Sequence, residues 1–141
     1  MADVGSERWR VGAYAICRRG DEVLLVRASS QTTVEGSWFL PGGGLGFGEA
    51  PEAAVLRELH EETGLTGRTP RLVGATSDLH DQREGGRMFV IRLVYEVDVD
   101  DAALVAEAVG TSDEARWVPL DAVRALGATP YVLVALGLDA K

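Results

Sequence analysis

GGLGFGEAPEAAVLRELHEETGL, residues 43–65, is the stretch around which this chain is organised. Its first part is a glycine-rich, turn-forming connection. A helix is predicted to begin near Ala50, with Pro51 in its first turn, and to end at Gly64. The length of this helix would be about 20 Å. The stretch therefore predicts a flexible loop that leads directly into one amphipathic helix.

Three glutamates share one face of the predicted helix, because Glu58, Glu61 and Glu62 stand at positions i, i+3 and i+4. The apolar residues expected to be buried on the opposite side are Ala53, Leu56 and Leu59. Like charges at this spacing oppose folding by a few tenths of a kcal/mol, about 0.2–0.5 per pair. A positive group is therefore expected on the acidic face, and a divalent cation is the simplest candidate.

The composition is that of an ordinary globular protein. The chain has 141 residues, of which 46% are hydrophobic and 26% are charged, so we expect a single domain over residues 1–141. No apolar run approaches the roughly 20 residues that span a bilayer, and the first residues lack the pattern of a signal peptide. Cys17 is the only cysteine and is expected to be a buried thiol. These features favour a cytoplasmic protein without a membrane partner.

The acidic charge is concentrated in one place. The formal net charge is −8, and residues 43–65 contain five glutamates and one arginine. Half of the net charge therefore lies in about a sixth of the chain. A surface of this sign repels phosphate backbones, so binding to a nucleic-acid polymer is not expected unless metal ions invert the local potential.

The rest of the chain alternates between strand patterns and short helices. A β-hairpin is predicted from residues 9–19, the turn at Gly20-Asp21 and the strand that begins at Glu22. Further strands are predicted at 38–40, 70–79, 88–99 and 116–118, with polar loops at 29–36 and 80–87. Short C-terminal helices are predicted at 120–126 and 130–138, the second capped by Thr129. This order favours an α/β sandwich in which a mixed sheet is covered on both faces.

The spacing of the central stretch resembles the Nudix box. Gly43, five residues, Glu49, seven residues and the run from Arg57 to Leu65 match G-x5-E-x7-R-E-U-x-E-E-x-G-U, where U is a bulky aliphatic residue. Nine defined positions agree without a gap. The flanking strands and the 38–41 and 116–120 segments are similar to the same family. The resemblance thus covers nearly the whole chain and implies a Nudix-type α/β/α sandwich with a mixed β-sheet.

The resemblance implies a hydrolase that cleaves the pyrophosphate bond of a nucleoside diphosphate linked to another moiety, with Mg²⁺ or Mn²⁺. It implies that Glu58, Glu61 and Glu62 are metal ligands and that one of them, or an acid from a neighbouring loop, is the general base. The chemistry is consistent with these roles, because hard cations held by carboxylate oxygens reconcile an acidic site with an anionic substrate. Arg57 and Glu49 are implied to pair and brace the loop, although Glu49 could instead reach a metal.

Other residues are candidates for contacts with the substrate. Gly42, Gly43 and Gly44 allow a close approach of the backbone to a phosphate, or form a plain turn. The remaining candidates are phosphate-binding arginines (Arg27, Arg83 and Arg87), additional acids (Glu84, Asp113 and Glu114) and rings that could stack on a base (Trp38, Phe39 and Phe47). Ala54 is expected to leave room for a phosphate beside Glu58, and His60 is expected to be solvated.

Three functions were weighed on these features. The first is the metal-dependent pyrophosphohydrolase acting on a nucleotide-type small molecule such as a nucleoside triphosphate, a nucleotide sugar, ADP-ribose or a dinucleoside polyphosphate. The second is a catalytically silent domain that binds a nucleotide as a sensor or a partner-binding module, and the third is the isomerase branch of the same fold. The complete set of box glutamates favours the first. A homodimer is compatible with the β-rich segments.

Overall fold

The computed structural model describes residues 6–29, 36–82, 85–105 and 112–139. In order along the chain, its elements are β1 (Glu7–Ile16), β2 (Arg18–Arg19), β3 (Glu22–Ala28), β4 (Trp38–Phe39), β5 (Gly42–Gly44), α1 (Pro51–Thr63), β6 (Gly67–Asp81), β7 (Arg87–Val99), β8 (Ser112–Pro119), a 3₁₀ turn (Leu120–Ala122), α2 (Val123–Leu126) and α3 (Pro130–Ala135). None of the helices in these described ranges has both the length and the apolar content needed to cross a membrane.

The first sheet is mixed and has the strand order β5-β1-β7-β6. β1 and β7 are parallel, whereas β5 and β6 pair antiparallel with their neighbours. The three glycines of β5 pair with Gly12, Ala13 and Tyr14 of β1. The glycine segment therefore forms an edge strand of this sheet, and its backbone positions are fixed by the pairing.

The second sheet is built around β3, which pairs antiparallel with β2, β4 and β8. Successive side chains of a strand point to opposite faces, so each central strand contributes to two cores. Ala15 and Leu24 belong to the core under α1, whereas Ile16 and Leu25 belong to the core that Tyr131 of α3 helps to fill. The α/β/α sandwich predicted from the sequence is confirmed.

The predicted hairpin is wrong in most of its length. Arg18 and Arg19 pair with β3, and the carbonyl oxygen of Cys17 accepts a hydrogen bond from the amide of Leu24 at 3.1 Å. β1 itself ends at Ile16 and lies in the other sheet between β5 and β7. The partners of β1 are distant in sequence, so no local pattern predicts this pairing. Cys17, at the junction, is fully buried as expected, and burial raises the pKa of its thiol to about 12.

Several other local predictions need correction. Residues 42–44 form a strand rather than a flexible connection, and α3 ends at Ala135 rather than at residue 138. Thr129 makes no side-chain capping hydrogen bond; its hydroxyl lies 3.5 Å from the carbonyl oxygen of Trp38. β8 is longer than the predicted strand and runs from Ser112 to Pro119. In contrast, the long antiparallel pairing between the segments around 70–79 and 88–99 is confirmed.

Candidate active site

The helix α1 has the ends that the sequence predicts. It begins at Pro51, and Gly64 follows its last residue with a φ of 79°, which glycine adopts without the cost that a Cβ imposes. The amide of Gly64 donates to the carbonyl oxygen of His60 at 2.9 Å. Val55 and Leu59 are fully buried against the sheet. The helix is therefore anchored by its apolar face, and Glu58 and Glu62 contact β5.

Two predictions about the faces of α1 are wrong. Ala53 is exposed rather than buried. Ala54 is fully buried in the core under the helix, so it leaves no open space beside Glu58 for a phosphate. Both errors follow from the same cause, since the buried face is centred on Val55 and Leu59, one position away from the face that the helical pattern suggested.

The carboxylate of Glu58 lies against the backbone of β5. A Cβ built on Gly43 would stand 2.1 Å from Oε2 of Glu58, a distance at which no two such atoms can coexist. The side chain of Glu58 is only 17% exposed. The absence of a side chain at position 43 is therefore what allows this carboxylate to lie beside the strand.

Glu62 is nearly buried and contacts the same strand. Its Oε1 accepts a hydrogen bond of 2.8 Å from the amide of Gly42, and the residue is 4% exposed. Glu61, by contrast, keeps 48% of its side chain exposed, and its Oε1 lies 3.3 Å from Nη1 of Arg57. The three box glutamates thus occupy different environments, although they share one face of the helix.

Arg57 connects the helix to the loop that precedes it. Its Nε donates to Oε2 of Glu49 at 2.8 Å and its Nη2 donates to Oε1 at 3.0 Å, so the pair is bidentate. The amide of Gly46 also donates to Glu49 at 2.8 Å. These hydrogen bonds, that of Arg57 first, lower the pKa of Glu49 to about 2. The predicted contact between Arg57 and Glu49 is present.

The donor atoms around Arg57 suit a hard divalent cation. Carboxylate oxygens are the ligands that Mg²⁺ and Mn²⁺ prefer, and Glu58 and Glu61 are one helical turn apart. Within the described part of the chain, however, no three acidic, histidine or cysteine side chains already converge on one point. Nη1 of Arg57 lies 3.5 Å from Glu58 and 3.3 Å from Glu61. The residues therefore fit a divalent cation by chemical type, and in the structure the guanidinium of Arg57 contacts both carboxylates.

The candidate residues on the second sheet are engaged with one another. Nε of Arg27 lies 2.8 Å from Oδ1 of Asp113, and Nη1 of Arg27 lies 3.4 Å from Oε1 of Glu114. Glu114 also contacts Arg116 at 2.8 Å. The charge of Arg27 is therefore compensated by acids of β8, and its predicted contact with substrate, like the metal-binding roles of these acids, stays a prediction.

The other candidates are spread over the surface and the core. Trp38 is buried beneath β3, whereas Phe47 is fully exposed at the loop before α1. Arg87 forms an ion pair of 2.7 Å with Glu7. His60 is exposed, as expected, and its Nδ1 lies 3.3 Å from the carbonyl oxygen of Leu65. Arg83 and Glu84 lie outside the described residues.

Two residues of β1 that the sequence analysis did not select lie beside the glycine strand. The guanidinium of Arg10 lies near Gly44, and the ring of Tyr14 lies against Gly42. Strand alternation was the available signal, because positions 8, 10, 12 and 14 share one face of β1. The sequence alone does not show that β5 pairs with β1, so the alternation could not indicate that Arg10 and Tyr14 lie beside the glycine strand.

Comparisons with known proteins agree with the fold. A family model described as NUDIX domain matches residues 7–134. The crystal structure of a MutT NUDIX hydrolase from Burkholderia pseudomallei superposes with a TM-score of 0.75 at 24% identity, covering 94% of this chain and 98% of that chain. The NUDIX domain of Shewanella oneidensis NrtR, solved with ADP ribose, has a TM-score of 0.73 at 21% identity and covers 94% and 86% of the two chains.

Curated relatives match the chain over part of their length. Diphosphoinositol polyphosphate phosphohydrolase 3-alpha of Mus musculus is 35% identical over 88 residues, which are 60% of this chain and 52% of the relative. RNA pyrophosphohydrolase of Mannheimia succiniciproducens is 43% identical over 76 residues, which are 54% of this chain and 36% of the relative. The chain thus spans about half the length of the first relative and about a third of the second.

Proposed function

The chain belongs to the NUDIX domain family, and we propose that it is a divalent-metal-dependent hydrolase that cleaves the pyrophosphate bond of a phosphorylated small molecule. The observation that carries the proposal is the packing of Glu58 and Glu62 against the glycine strand β5, with Glu61 held beside them by Arg57. The names of the two relatives above, a phosphohydrolase and a pyrophosphohydrolase, support the same reaction class. The substrate is proposed to be nucleotide-like, and the lone buried cysteine favours a cytoplasmic location.

The residues have distinct proposed roles. Glu58 and Glu61, with Glu62 or Glu49 as further candidates, would hold Mg²⁺ or Mn²⁺, which when bound supplies polarisation of the phosphoryl group and charge neutralisation. Gly43 keeps the carboxylate of Glu58 against the strand. One of the box glutamates, or an acid of a neighbouring loop, accepts the proton of the attacking water. Positioning and electrostatics supply the rate.

Arg57 is proposed to position these carboxylates rather than to react. Its guanidinium joins Glu49 on the loop to Glu58 and Glu61 on the helix, and a lysine cannot reproduce two parallel hydrogen bonds. We expect Arg57→Lys to lower kcat/KM by about 10- to 100-fold, as for the loss of residues that orient metal ligands. Initial rates at saturating Mg²⁺, together with the melting temperature, measure this effect.

Arg71→Lys is the matched control for that variant. Arg71 makes a similar exposed pair with Asp98 at 3.2 Å on β7, outside the group of residues around Arg57. The same chemical change there should leave turnover within about twofold of the wild type, because a surface ion pair contributes little to stability and nothing to this site. Equal activity of both variants and the wild type would contradict the positioning role of Arg57.

A substrate panel tests the proposed reaction. Phosphate and pyrophosphate release would be measured with Mg²⁺ or Mn²⁺ on nucleoside triphosphates, ADP-ribose, nucleotide sugars and dinucleoside polyphosphates. A diphosphoinositol polyphosphate and an RNA with a 5′-triphosphate extend the panel to the relatives' named substrates and test the expectation that no nucleic-acid polymer is used. Turnover of at least one compound, lost with chelator, is expected. Binding of a nucleotide without any turnover would instead support the alternative of a silent binding module.

A further inference from the structure

One face of β1 carries an arginine that has no charged partner among the described residues. Arg8, Arg10, Gly12 and Tyr14 share this face, which is opposite the one that Ala13 presents to the core under α1. Arg10 is exposed, and its guanidinium makes neither a salt bridge nor a hydrogen bond with the residues that the structure describes. An exposed guanidinium of this kind can bind an anion.

The guanidinium of Arg10 lies directly over the end of the glycine strand. Its Nη2, Cζ and Nη1 atoms stand 3.5, 3.6 and 3.9 Å from the position that a Cβ on Gly44 would take. All three distances correspond to ordinary van der Waals contact, so a methyl group at position 44 would fit beside the guanidinium. Arg10 therefore lies next to the strand that also contacts Glu58 and Glu62.

Arg92 of the neighbouring strand β7, which pairs with Gly12 of β1, lies beside this face and is held in a different way. Arg92 pairs with Asp78 and is 13% exposed, and its Cζ lies 4.1 Å from the centre of the Tyr131 ring. Its charge is neutralised by a carboxylate and its plane is stacked on an aromatic ring. The guanidinium of Arg92 is therefore already bound to a carboxylate and an aromatic ring, whereas that of Arg10 has no such partner among the described residues.

The acidic residues reach the same strand from the other side. Glu62 accepts the amide hydrogen of Gly42, and Glu58 lies against Gly43. The pKa of the Tyr14 phenol is raised, mainly by burial. The charges of Arg10 and Arg92 lower this pKa, whereas those of Glu62 and Glu58 raise it, so both groups of charges lie near the ring. Along the three glycines of β5, Arg10 therefore lies at Gly44, whereas Glu58 and Glu62 lie at Gly43 and Gly42.

From this arrangement we infer that Arg10 is a substrate-binding residue, which holds a phosphate group next to the one at the box glutamates. The inference rests on the proposed function and adds to it a residue of the substrate site, Arg10, which contacts a phosphate of the bound compound at the Gly44 end of β5. A guanidinium can donate two parallel hydrogen bonds to phosphate oxygens, and the glycines let those oxygens approach the backbone. Arg10 thereby offsets part of the repulsion between the anionic substrate and the acidic helix face.

Kinetics of Arg10→Ala test this role. We expect KM for the best substrate of the panel to rise about 10- to 100-fold, the range for loss of a hydrogen bond to a charged group, while kcat stays within about threefold. Arg10→Lys should restore part of the loss, because it returns the charge without the planar fork. Arg8→Ala is the control, since Arg8 is exposed on the same face of β1 two residues farther from Gly44.

A binding measurement separates this inference from the proposed reaction. The affinity for methylene diphosphonate, a pyrophosphate analogue that resists hydrolysis, would be measured by calorimetry with Mg²⁺ present. Weaker binding by Arg10→Ala than by the wild type and Arg8→Ala supports the inference even if the panel shows no turnover. Equal affinity of all three proteins, or an unchanged KM in an active enzyme, overturns the role of Arg10 and leaves the hydrolase proposal standing. If no compound of the panel is hydrolysed but Arg10→Ala still binds the analogue more weakly than the wild type, only the proposed hydrolase reaction is overturned.

Discussion

Glu61→Gln is expected to reduce metal-dependent turnover by about 100- to 1000-fold. The substitution keeps the size of the side chain but removes the charge that would hold a cation, and such a loss costs several kcal/mol, about 3–4, of transition-state stabilisation. The side chain of Glu61 is 48% exposed, and among the described residues its ion pair is with Arg57 at 3.3 Å. Its replacement should therefore leave the melting temperature nearly unchanged, so that the loss of rate reports function alone. Rates over a range of Mg²⁺ concentrations measure the effect.

Glu52→Gln provides the control for this experiment. Glu52 is an exposed glutamate in the first turn of the same helix, six residues before Glu58 in the sequence, and its charge acts on Tyr95 of β7. The identical chemical change there should have no effect on kcat beyond about twofold. Glu58→Gln is the companion variant and should show a loss similar to that of Glu61→Gln. Turnover of Glu61→Gln within threefold of the wild type would show that this carboxylate is not a metal ligand.

Alanine substitutions at the three glycines of β5 are expected to have three different outcomes. At Gly42 a Cβ would stand 2.4 Å from the carbonyl oxygen of Ala13, and the backbone φ is 155°. Neither the backbone nor the paired strand can move away cheaply. Gly42→Ala should therefore lower the free energy of unfolding by about 2–4 kcal/mol. Chemical denaturation measures this change.

Gly43→Ala should preserve the fold and abolish most of the activity. The new Cβ would stand 2.1 Å from Oε2 of Glu58, and this carboxylate is the end of a flexible side chain that can rotate away. A catalytic group displaced by about 1 Å can cost about 100-fold in rate. We therefore expect kcat to fall by about that factor with a melting temperature close to that of the wild type.

Gly44→Ala completes the series. The Cβ at this position would make only ordinary contact with Arg10, at 3.5 Å from Nη2, so the stability of the wild type should be retained. Its KM then tests the prediction that the backbone at Gly44 contacts substrate. A uniform response of Gly42→Ala, Gly43→Ala and Gly44→Ala, in either stability or rate, would contradict the assignment of separate roles to the three glycines.

The helix α1 and the shared face of its glutamates could be predicted from the sequence because both depend on local spacing. The limits of α1, the left-handed Gly64 and the shared face of Glu58, Glu61 and Glu62 all follow from residues within one segment. The error about Ala53 and Ala54 shows the limit of that reasoning. Periodicity defines a face, but the neighbour against which the helix packs decides its orientation.

The sheet pairings could not be predicted in the same way. β1 was assigned to a hairpin with β3, yet its partners are β5 and β7, whose paired residues are distant in sequence. Only this non-local pairing places Arg10 beside Gly44 and sets Glu58 against Gly43. Strand alternation indicates which residues share a face, but it contains no information about the strand that lies next to them.

The sequence by itself therefore determined the reaction-bearing helix, its glutamates and the arginine that joins them to Glu49, since all of these lie within 23 residues and follow from helical geometry. Only the tertiary structure decided which glutamate is buried, which glycine makes room for which carboxylate and where Arg10 stands. The physical reason is that these features depend on contacts between segments distant in the chain, which are settled by how two sheets and three helices bury their apolar faces together.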